Sequence, residues 1–541
     1  ERISSIPINI NGKVDKKKLQ KPETKSKDNI VLPRTEMEKN VSMIWEEVLN
    51  ISPISVKDSF MNLGGDSIKI VKIMSLISER FNLKIPYRDF LKYDTIEELT
   101  KFIIKKSEKS EKTESAEQRI YKYYEHNSDN EYEEFPLTDV QMAYLLGRDE
   151  KFALGGVSTH GYYEILTKLD IKTLEINLNR LIQKQPMLRT IINDKGKQQM
   201  LKNVPYYKIK TTDLTSLDIK DVNKEIINER KRMSHHVFDV SEWPLFEFKA
   251  FKISESEYYL FIGIDLLIAD GSSMRILVKG LLENNDEISK NLFNYKDYVE
   301  ALEDFKNSET YLDDKKYWYD KISLLPPAPE LLLKRSIDEI NRPHFRRCEN
   351  IISNELWHKI KYIAKSKGIT VSSLLYSAYA YILGYWSNQP ELTLNVTVFT
   401  RYPFNENVNN IIGDFTSVIL VDTNVRDVIN FWDFAKNSQD KMFEALEHRH
   451  YDGINVIREI KKQKGLQDQA IMPVVFTSLL FSMDNDDNST INDLGEIKMG
   501  VSQTSQVYLD YQVMETKEGL SITWDYVEEL FDESMINQMF N

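Results

Sequence analysis

The 541-residue sequence contains one cysteine, Cys348. A single thiol excludes an internal disulfide and a multi-cysteine metal site. It suits a reducing compartment, and a cytoplasmic location is the expectation. No run of about 18 or more apolar residues occurs, so no membrane-spanning helix is expected. Positive charge is in deficit, with 71 Lys and Arg against 84 Asp and Glu and a formal net charge of −13. An acidic chain is a poor match for nucleic acid or an anionic membrane. The opening residues, ERISSIP, hold neither an initiator methionine nor the apolar segment of a signal peptide, and read as part of a longer polypeptide.

Apolar side chains are also scarce in two stretches. Residues 20–29 (QKPETKSKDN) contain no large apolar residue, and in 105–118 (KKSEKSEKTESAEQ) Ala116 is the only apolar one. Neither buries enough surface to offset the entropy of ordering, so both read as linkers. Lys and Glu are good helix formers, so a solvated helix is the alternative for the second. The joints leave a short tail, a unit of about 75 residues and a unit of about 410 residues.

The small unit has helical periodicity. Val41, Ile44, Trp45 and Val48 share one face, Ile70, Met74 and Ile77 mark a second helix, and Thr95 with Glu98 forms a capping box before Leu99, Phe102 and Ile103. Three or more short helices in this length make a small bundle. The large unit alternates. Strands are expected at 258–264 (YYLFIGI), 392–399 (LTLNVTVF), 417–421 (SVILV) and 520–524 (LSITW), and a helix at 371–386. Its length exceeds one ordinary core, so two α/β lobes are expected.

Residues 63–71 read LGGDSIKIV. Two glycines permit a tight turn, after which Asp66 and Ser67 open a helix. Free N–H groups and the positive end of the helix dipole there favour a phosphate on Ser67. The local pattern alone is equally that of an ordinary N-cap. The whole unit, with Asp58-Ser59-Phe60 before the motif and an apolar helix after it, resembles a peptidyl carrier domain of nonribosomal peptide synthetases. The resemblance implies a four-helix bundle over 33–105 and a covalent 4′-phosphopantetheine on Ser67, installed by a phosphopantetheinyl transferase. Residues 6–19 (IPININGKVDKKKL) resemble the last motif of adenylation domains, with Lys13 at the family lysine. That implies an adenylation-domain tail over 1–20, an upstream adenylation partner and a linker at 21–32.

In the large unit the segments FPLTDVQMAYLLGR (135–148), PMLR (186–189), VFDVSEWPLF (237–246), DLLIADGSS (265–273), LPPAPEL (325–331), GDFTS (413–417), PVVFTS (473–478) and SQTSQVYLDYQ (502–512) follow in order. Together they resemble a heterocyclization domain, a variant of the condensation domain. This implies a two-lobed fold like chloramphenicol acetyltransferase over 133–541, with lobes at about 133–310 and 311–541 and a linker at 106–132. Amide-forming relatives carry His-His-x-x-x-Asp-Gly at the lobe junction. Here the stretch is DLLIADG, and Leu266 stands where the second His would serve. Leucine neither accepts nor donates a proton. Asp265, Asp270 and Ser273 match the heterocyclization pattern. The two carboxylates are read as structural braces of the site rather than metal ligands, since no His or third carboxylate lies nearby in sequence.

By the same resemblance Asp510 and Thr477 are the cyclodehydration residues, a carboxyl to shuttle protons and a hydroxyl to orient the oxygen. On pattern alone both are ordinary strand residues. Departures from common family motifs fall at Gln185, Leu332 and Ser505, and 484–490 (DNDDNST) reads as an exposed loop. The expectation is a carrier–heterocyclization didomain. It would join an upstream acyl thioester to a Cys, Ser or Thr on a downstream carrier, itself loaded by a downstream adenylation domain, and then close a thiazoline or oxazoline. Alternatives are an amide-only condensation enzyme, a degenerate docking module and a CoA-dependent acetyltransferase. Leu266 weighs against the first and last.

Overall fold

The computed structural model describes residues 30–110, apart from 66, 82, 84 and 86, and residues 121–541, apart from 284–292, 427 and 481–489. The adenylation-like tail with Lys13, the joint at 20–29 and most of the 484–490 loop lie outside the described residues. The chain divides into a small unit drawn from the first stretch and a large one drawn chiefly from the second.

The small unit contains α1 (Glu36–Leu49), α2 (Ser67–Phe81), α3 (Tyr87–Lys92) and α4 (Ile96–Ser110), the expected four helices. Thr35 and Glu38 cap α1 reciprocally, and Asn50 ends it in the left-handed region. The periodic face is fully used, because Val41, Ile44, Trp45 and Val48 are all buried. Trp45, Phe60 and Phe90 meet at centroid separations of 5.0, 6.0 and 5.2 Å. Burying such side chains contributes roughly 1.5–3 kcal/mol each, which is how so small a unit holds its core. Thr95 caps α4, its hydroxyl accepting from the backbone N–H of Glu98. That helix runs on to Ser110, so 105–110, expected as linker, continue it.

Thirteen strands are described in the large unit: β1 (His160–Thr167), β2 (Thr190–Ile192), β3 (Gln198–Met200), β4 (Lys210–Asp213), β5 (Phe246–Lys252), β6 (Tyr258–Asp265), β7 (Phe345–Ser353), β8 (Glu391–Phe399), β9 (Thr416–Asn424), β10 (Val474–Ser478), β11 (Glu496–Gln503), β12 (Leu509–Thr516) and β13 (Gly519–Val527). One sheet has the order β11-β1-β6-β5-β4, a second β7-β13-β12-β10-β8-β9, and β2 pairs with β3. One core gathers residues of both large sheets, Tyr162, Phe251 and Phe261 with Leu394, Phe476 and Trp524, and another lies against the first sheet, in a two-lobed α/β architecture.

The lobes exchange chain, so no single break near 310 separates them. Strand β11 comes from the C-terminal half yet pairs with β1 in the first sheet. Tyr402, Phe404, Ile411, Ile412 and Phe415 likewise join the first lobe's core. The expected linker at 106–132 also ends earlier than its composition suggests. Tyr121 is buried, stacks on Phe305 and Tyr402 at 5.4 and 5.3 Å, and bonds His450 through its hydroxyl at 2.8 Å. Aromatic residues give 121–132 the apolar surface that 105–118 lacks. No helix among the described residues is long and apolar enough to cross a membrane.

Candidate active site

The parallel pairing of β10 with β12, and of β10 with β8, aligns two rows of side chains. One row is Asn395, Val475, Asp510, and the next is Thr397, Thr477, Gln512. Alternation along each strand puts both rows on one face. That face lines a cavity of about 320 Å³ together with Leu266, Asp270, Tyr144 and Ser502. Thr477 Oγ1 lies 3.1 Å from Asp510 Oδ1 and 3.0 Å from Thr397 Oγ1, and Gln512 Nε2 donates to Asp510 Oδ2 at 2.6 Å. Thr477 and Asp510 each keep 9 % of their surface exposed, both toward this cavity. Burial pushes the Asp510 carboxyl up to about 7, against the opposing pull of the Gln512 and Thr477 hydrogen bonds. Such a group exchanges a proton readily near neutrality.

Asn395 was not singled out in the sequence. It is buried, lines the cavity, and its Oδ1 accepts no hydrogen bond from the protein. A signal was present. Thr393, Asn395 and Thr397 alternate through LTLNVTVF, a polar stripe on a strand that is otherwise apolar. The Asn395 amide faces the cavity beside Asp510. Gln512 also escaped notice as a separate residue, although it lies within a quoted motif.

The DLLIADG stretch ends β6 and caps the next helix. Asp265 accepts from Arg148 Nη2 and from the Leu267 backbone N–H, while Arg148 Nη1 reaches the Phe238 carbonyl at 2.8 Å. Asp270 caps the helix Gly271–Leu282 through the Ser273 N–H at 2.6 Å and is paired with Arg401 at 3.2 Å. Ser273 Oγ donates to the Gly413 carbonyl at 2.8 Å and accepts from the Gly413 N–H at 3.1 Å. A Cβ on Gly413 would stand 2.1 Å from the Tyr295 ring, so only glycine fits. Both aspartates are fully buried and committed to arginine. Leu266 between them lines the cavity and brings no titratable group to it.

Further along the Asp510 row stand Asp525 on β13 and Arg347 on β7. Their ion pair is bidentate at 2.7 and 2.5 Å, and Asp525 is fully buried.

In the small unit Ser67 is the first residue of α2, and Asp66 lies outside the described residues. Gly64 ahead of it has φ +89°, and a Cβ on Gly65 would overlap the Phe60 ring at 2.2 Å. Both positions require glycine, and the turn they form delivers Ser67 to the N-terminus of a 15-residue helix. Backbone N–H groups there suit the phosphate of a serine-linked phosphopantetheine.

A model of the condensation domain matches residues 132–541, and a model of the phosphopantetheine attachment site matches 39–103. The chain belongs to the condensation-domain family. Its large unit is a condensation domain and its small unit a carrier with a phosphopantetheine attachment site, together a carrier–condensation didomain of a nonribosomal peptide synthetase. The chain is 38% identical to bacitracin synthase 1 of Bacillus licheniformis over 547 residues, which is all of this chain and 10% of that protein. It is 28% identical to pyochelin synthetase PchF of Pseudomonas aeruginosa over 423 residues, or 76% of this chain and 23% of PchF. The chain thus spans a tenth to a quarter of these relatives. The structure of the EpoB cyclization-docking bidomain from Sorangium cellulosum superposes with a TM-score of 0.73 at 30% identity, covering 78% of this chain and 85% of the bidomain.

Proposed function

We propose that this didomain joins an acyl thioester to a cysteinyl, seryl or threonyl thioester on a downstream carrier and then closes the new amide to a thiazoline or oxazoline. Ser67 carries 4′-phosphopantetheine in this reading, and the two domains occupy about 33–105 and 133–541. The partners are an upstream adenylation domain, downstream adenylation and carrier domains, and a phosphopantetheinyl transferase. When bound, 4′-phosphopantetheine supplies the thiol that holds an acyl group as a thioester.

The observation that carries the proposal is the Asp510 carboxyl, titrating near 7 and held between Thr477 and Gln512, in a cavity where Leu266 removes the usual His. Amide formation breaks the donor C–S bond and releases a thiol. Cyclisation then adds the side-chain sulfur or oxygen to the amide carbonyl. The resulting hemiaminal loses its oxygen as water and its nitrogen proton, leaving C=N. Asp510 takes the proton from the nucleophile and passes it to the carbonyl oxygen, then takes the nitrogen proton and delivers it to the departing hydroxyl. Thr477 orients that oxygen, and Gln512 holds the carboxyl in place. Closure within one molecule has a large effective-molarity advantage. The EpoB structure, named as a cyclization bidomain, supports the same reading.

The test follows a downstream carrier by intact-protein mass spectrometry after Ser67 is loaded with an aminoacyl-phosphopantetheine and the partner with cysteine. The expected product is the dipeptidyl partner less one water, with Asp510→Ala leaving the linear dipeptide. Linear product from the unaltered protein with Cys, Ser and Thr alike would establish amide condensation instead.

A further inference from the structure

Among the described residues no histidine lines the Asp510 cavity, but the helix Asp139–Leu146 brings a different group to it. Thr138 and Gln141 cap this helix reciprocally. Gln141 is fully buried, and its Nε2 donates to the Leu267 carbonyl at 2.6 Å and to Gln198 Oε1 at 3.0 Å. The first bond ties the helix to the residue after Leu266. Val140, Ala143 and Tyr144 fall at i, i+3 and i+4, so they share one helix face, and all three line the cavity. The Gln141 bonds thus fix the helix that delivers the Tyr144 phenol to the cavity of Leu266 and Asp510.

The surroundings of Tyr144 leave its proton available. The Thr416 side chain stands next to the Tyr144 hydroxyl and next to the Asp414 carboxyl. The Thr416 N–H donates to Asp414 Oδ1 at 3.0 Å, and Asp414 is fully buried, with no partner for Oδ2 among the described residues. Burial first, and then the charge of Asp270, hold the Asp414 carboxyl well above the usual carboxylate range. A neutral acid behind Thr416 offers no anion to capture the phenol proton. Burial also pushes the Tyr144 phenol well up, so it remains a donor near neutrality. The charge of Asp510 reaches Tyr144 too, whereas Tyr163, the other tyrosine of the lining, has Arg347 and Asp525 as its charged neighbours.

We propose that Tyr144 is a further catalytic residue, whose hydroxyl donates a hydrogen bond to the substrate oxygen that becomes the leaving water. The inference rests on the cyclodehydration reading and adds a residue to it. Negative charge grows on that oxygen as the nucleophile adds to the amide carbonyl. The Thr477 hydroxyl is engaged with Thr397 and Asp510, and the Gln512 amide with Asp510, so a separate donor serves the oxygen. Tyr144 lends a hydrogen bond and keeps its proton, so the proton transfers through Asp510 still balance. Thr416 is a positioning residue that holds the phenol.

The test is single-turnover intact-protein mass spectrometry with loaded Ser67 and a cysteinyl partner carrier, comparing the unaltered chain, Tyr144→Phe, and a chain with 3-fluorotyrosine at 144. Loss of one positioned donor commonly costs about 100-fold or more in rate. Tyr144→Phe should therefore slow water loss by tenfold or more, so that linear dipeptidyl partner accumulates, with the thermal midpoint unchanged. The fluorotyrosine chain keeps the hydroxyl and should lose water at close to the unaltered rate. Water loss at full rate in Tyr144→Phe overturns the inference and leaves the cyclodehydration reading standing. Equal slowing in the phenylalanine and fluorotyrosine chains assigns the ring a packing role and also overturns it. If the unaltered chain loses no water with Cys, Ser or Thr, the cyclodehydration reading falls and this inference falls with it.

Discussion

Asp510 and Asp525 face each other as register partners across the antiparallel pair β12 and β13, and Arg347 closes a bidentate ion pair on Asp525 alone. Asp510 is thus a buried carboxyl next to a carboxylate whose charge another residue balances. Asp525 raises its pKa and Arg347 lowers it, both by less than burial does.

The first prediction follows from those opposing effects. Asp525→Asn leaves Arg347 as an unbalanced cation and moves the pH profile of water loss to the acid side. Arg347→Gln leaves an unbalanced anion and moves it to the alkaline side. Charges at this range shift a carboxyl by about 1–3 units. Single variants of a buried pair cost about 3–5 kcal/mol, so the Arg347→Gln/Asp525→Asn double variant serves as the folded control and should stay near the original profile. Rates of water loss measured from pH 5 to 9 decide this. Shifts of the same sign in both single variants would refute it.

The raised pKa of Asp510 also has a sign for stability. Its unfolded reference is 3.8 and its folded value about 7, so the folded chain holds a proton that the unfolded chain has released in between. The associated stability is present below pH 4 and lost as pH rises through 7. Asp510→Asn removes this dependence. The difference in unfolding free energy between pH 5 and pH 8, read from urea titrations, should narrow in the variant by about 3 kcal/mol, since roughly two pH units of the shift fall in that window.

Asn395→Ala should slow water loss by about tenfold or more while leaving stability nearly unchanged. Its Oδ1 accepts nothing from the protein, so truncation breaks no bond at that atom. A single positioned polar donor or acceptor in a closed site is commonly worth about 100-fold in rate. Single-turnover mass spectrometry alongside a thermal melt separates the two effects.

Asp270→Ala removes the cap of the helix Gly271–Leu282, the Arg401 ion pair and the acceptor of the Phe415 N–H together. Breaking a buried pair from one side costs about 3–5 kcal/mol. The expected outcome is a lower denaturation midpoint for the large unit, with activity lost in proportion to the unfolded fraction.

In the carrier, Gly65→Ala drives a methyl into the Phe60 ring. Overpacking of this kind costs about 1–3 kcal/mol. The turn ahead of Ser67 must shift, and conversion to the phosphopantetheinylated form should slow, as read by the mass increment with time.

The helices and strands were legible where side-chain period alone sets them. Val41, Ile44, Trp45 and Val48 marked α1, and the four apolar runs expected as strands are β6, β8, β9 and β13. The ordered stretch 121–132 was not, because its aromatic residues find their partners, Phe305, Tyr402 and Phe404, some 180 to 280 residues away.

Residue order along the chain determined the fold class, the carrier motif around Ser67, and the replacement of a histidine by Leu266. These are local properties, set by periodicity, turn chemistry and side-chain type. Only tertiary structure decided that Thr477 and Asp510 share a face with Asn395 and Gln512, that Arg148 and Arg401 hold the two aspartates of DLLIADG, and that Arg347 balances Asp525 beside Asp510. The reason is strand pairing. Register across β8, β10, β12, β13 and β7 joins residues from sequence positions 347 to 525, and no local pattern encodes which of them become neighbours.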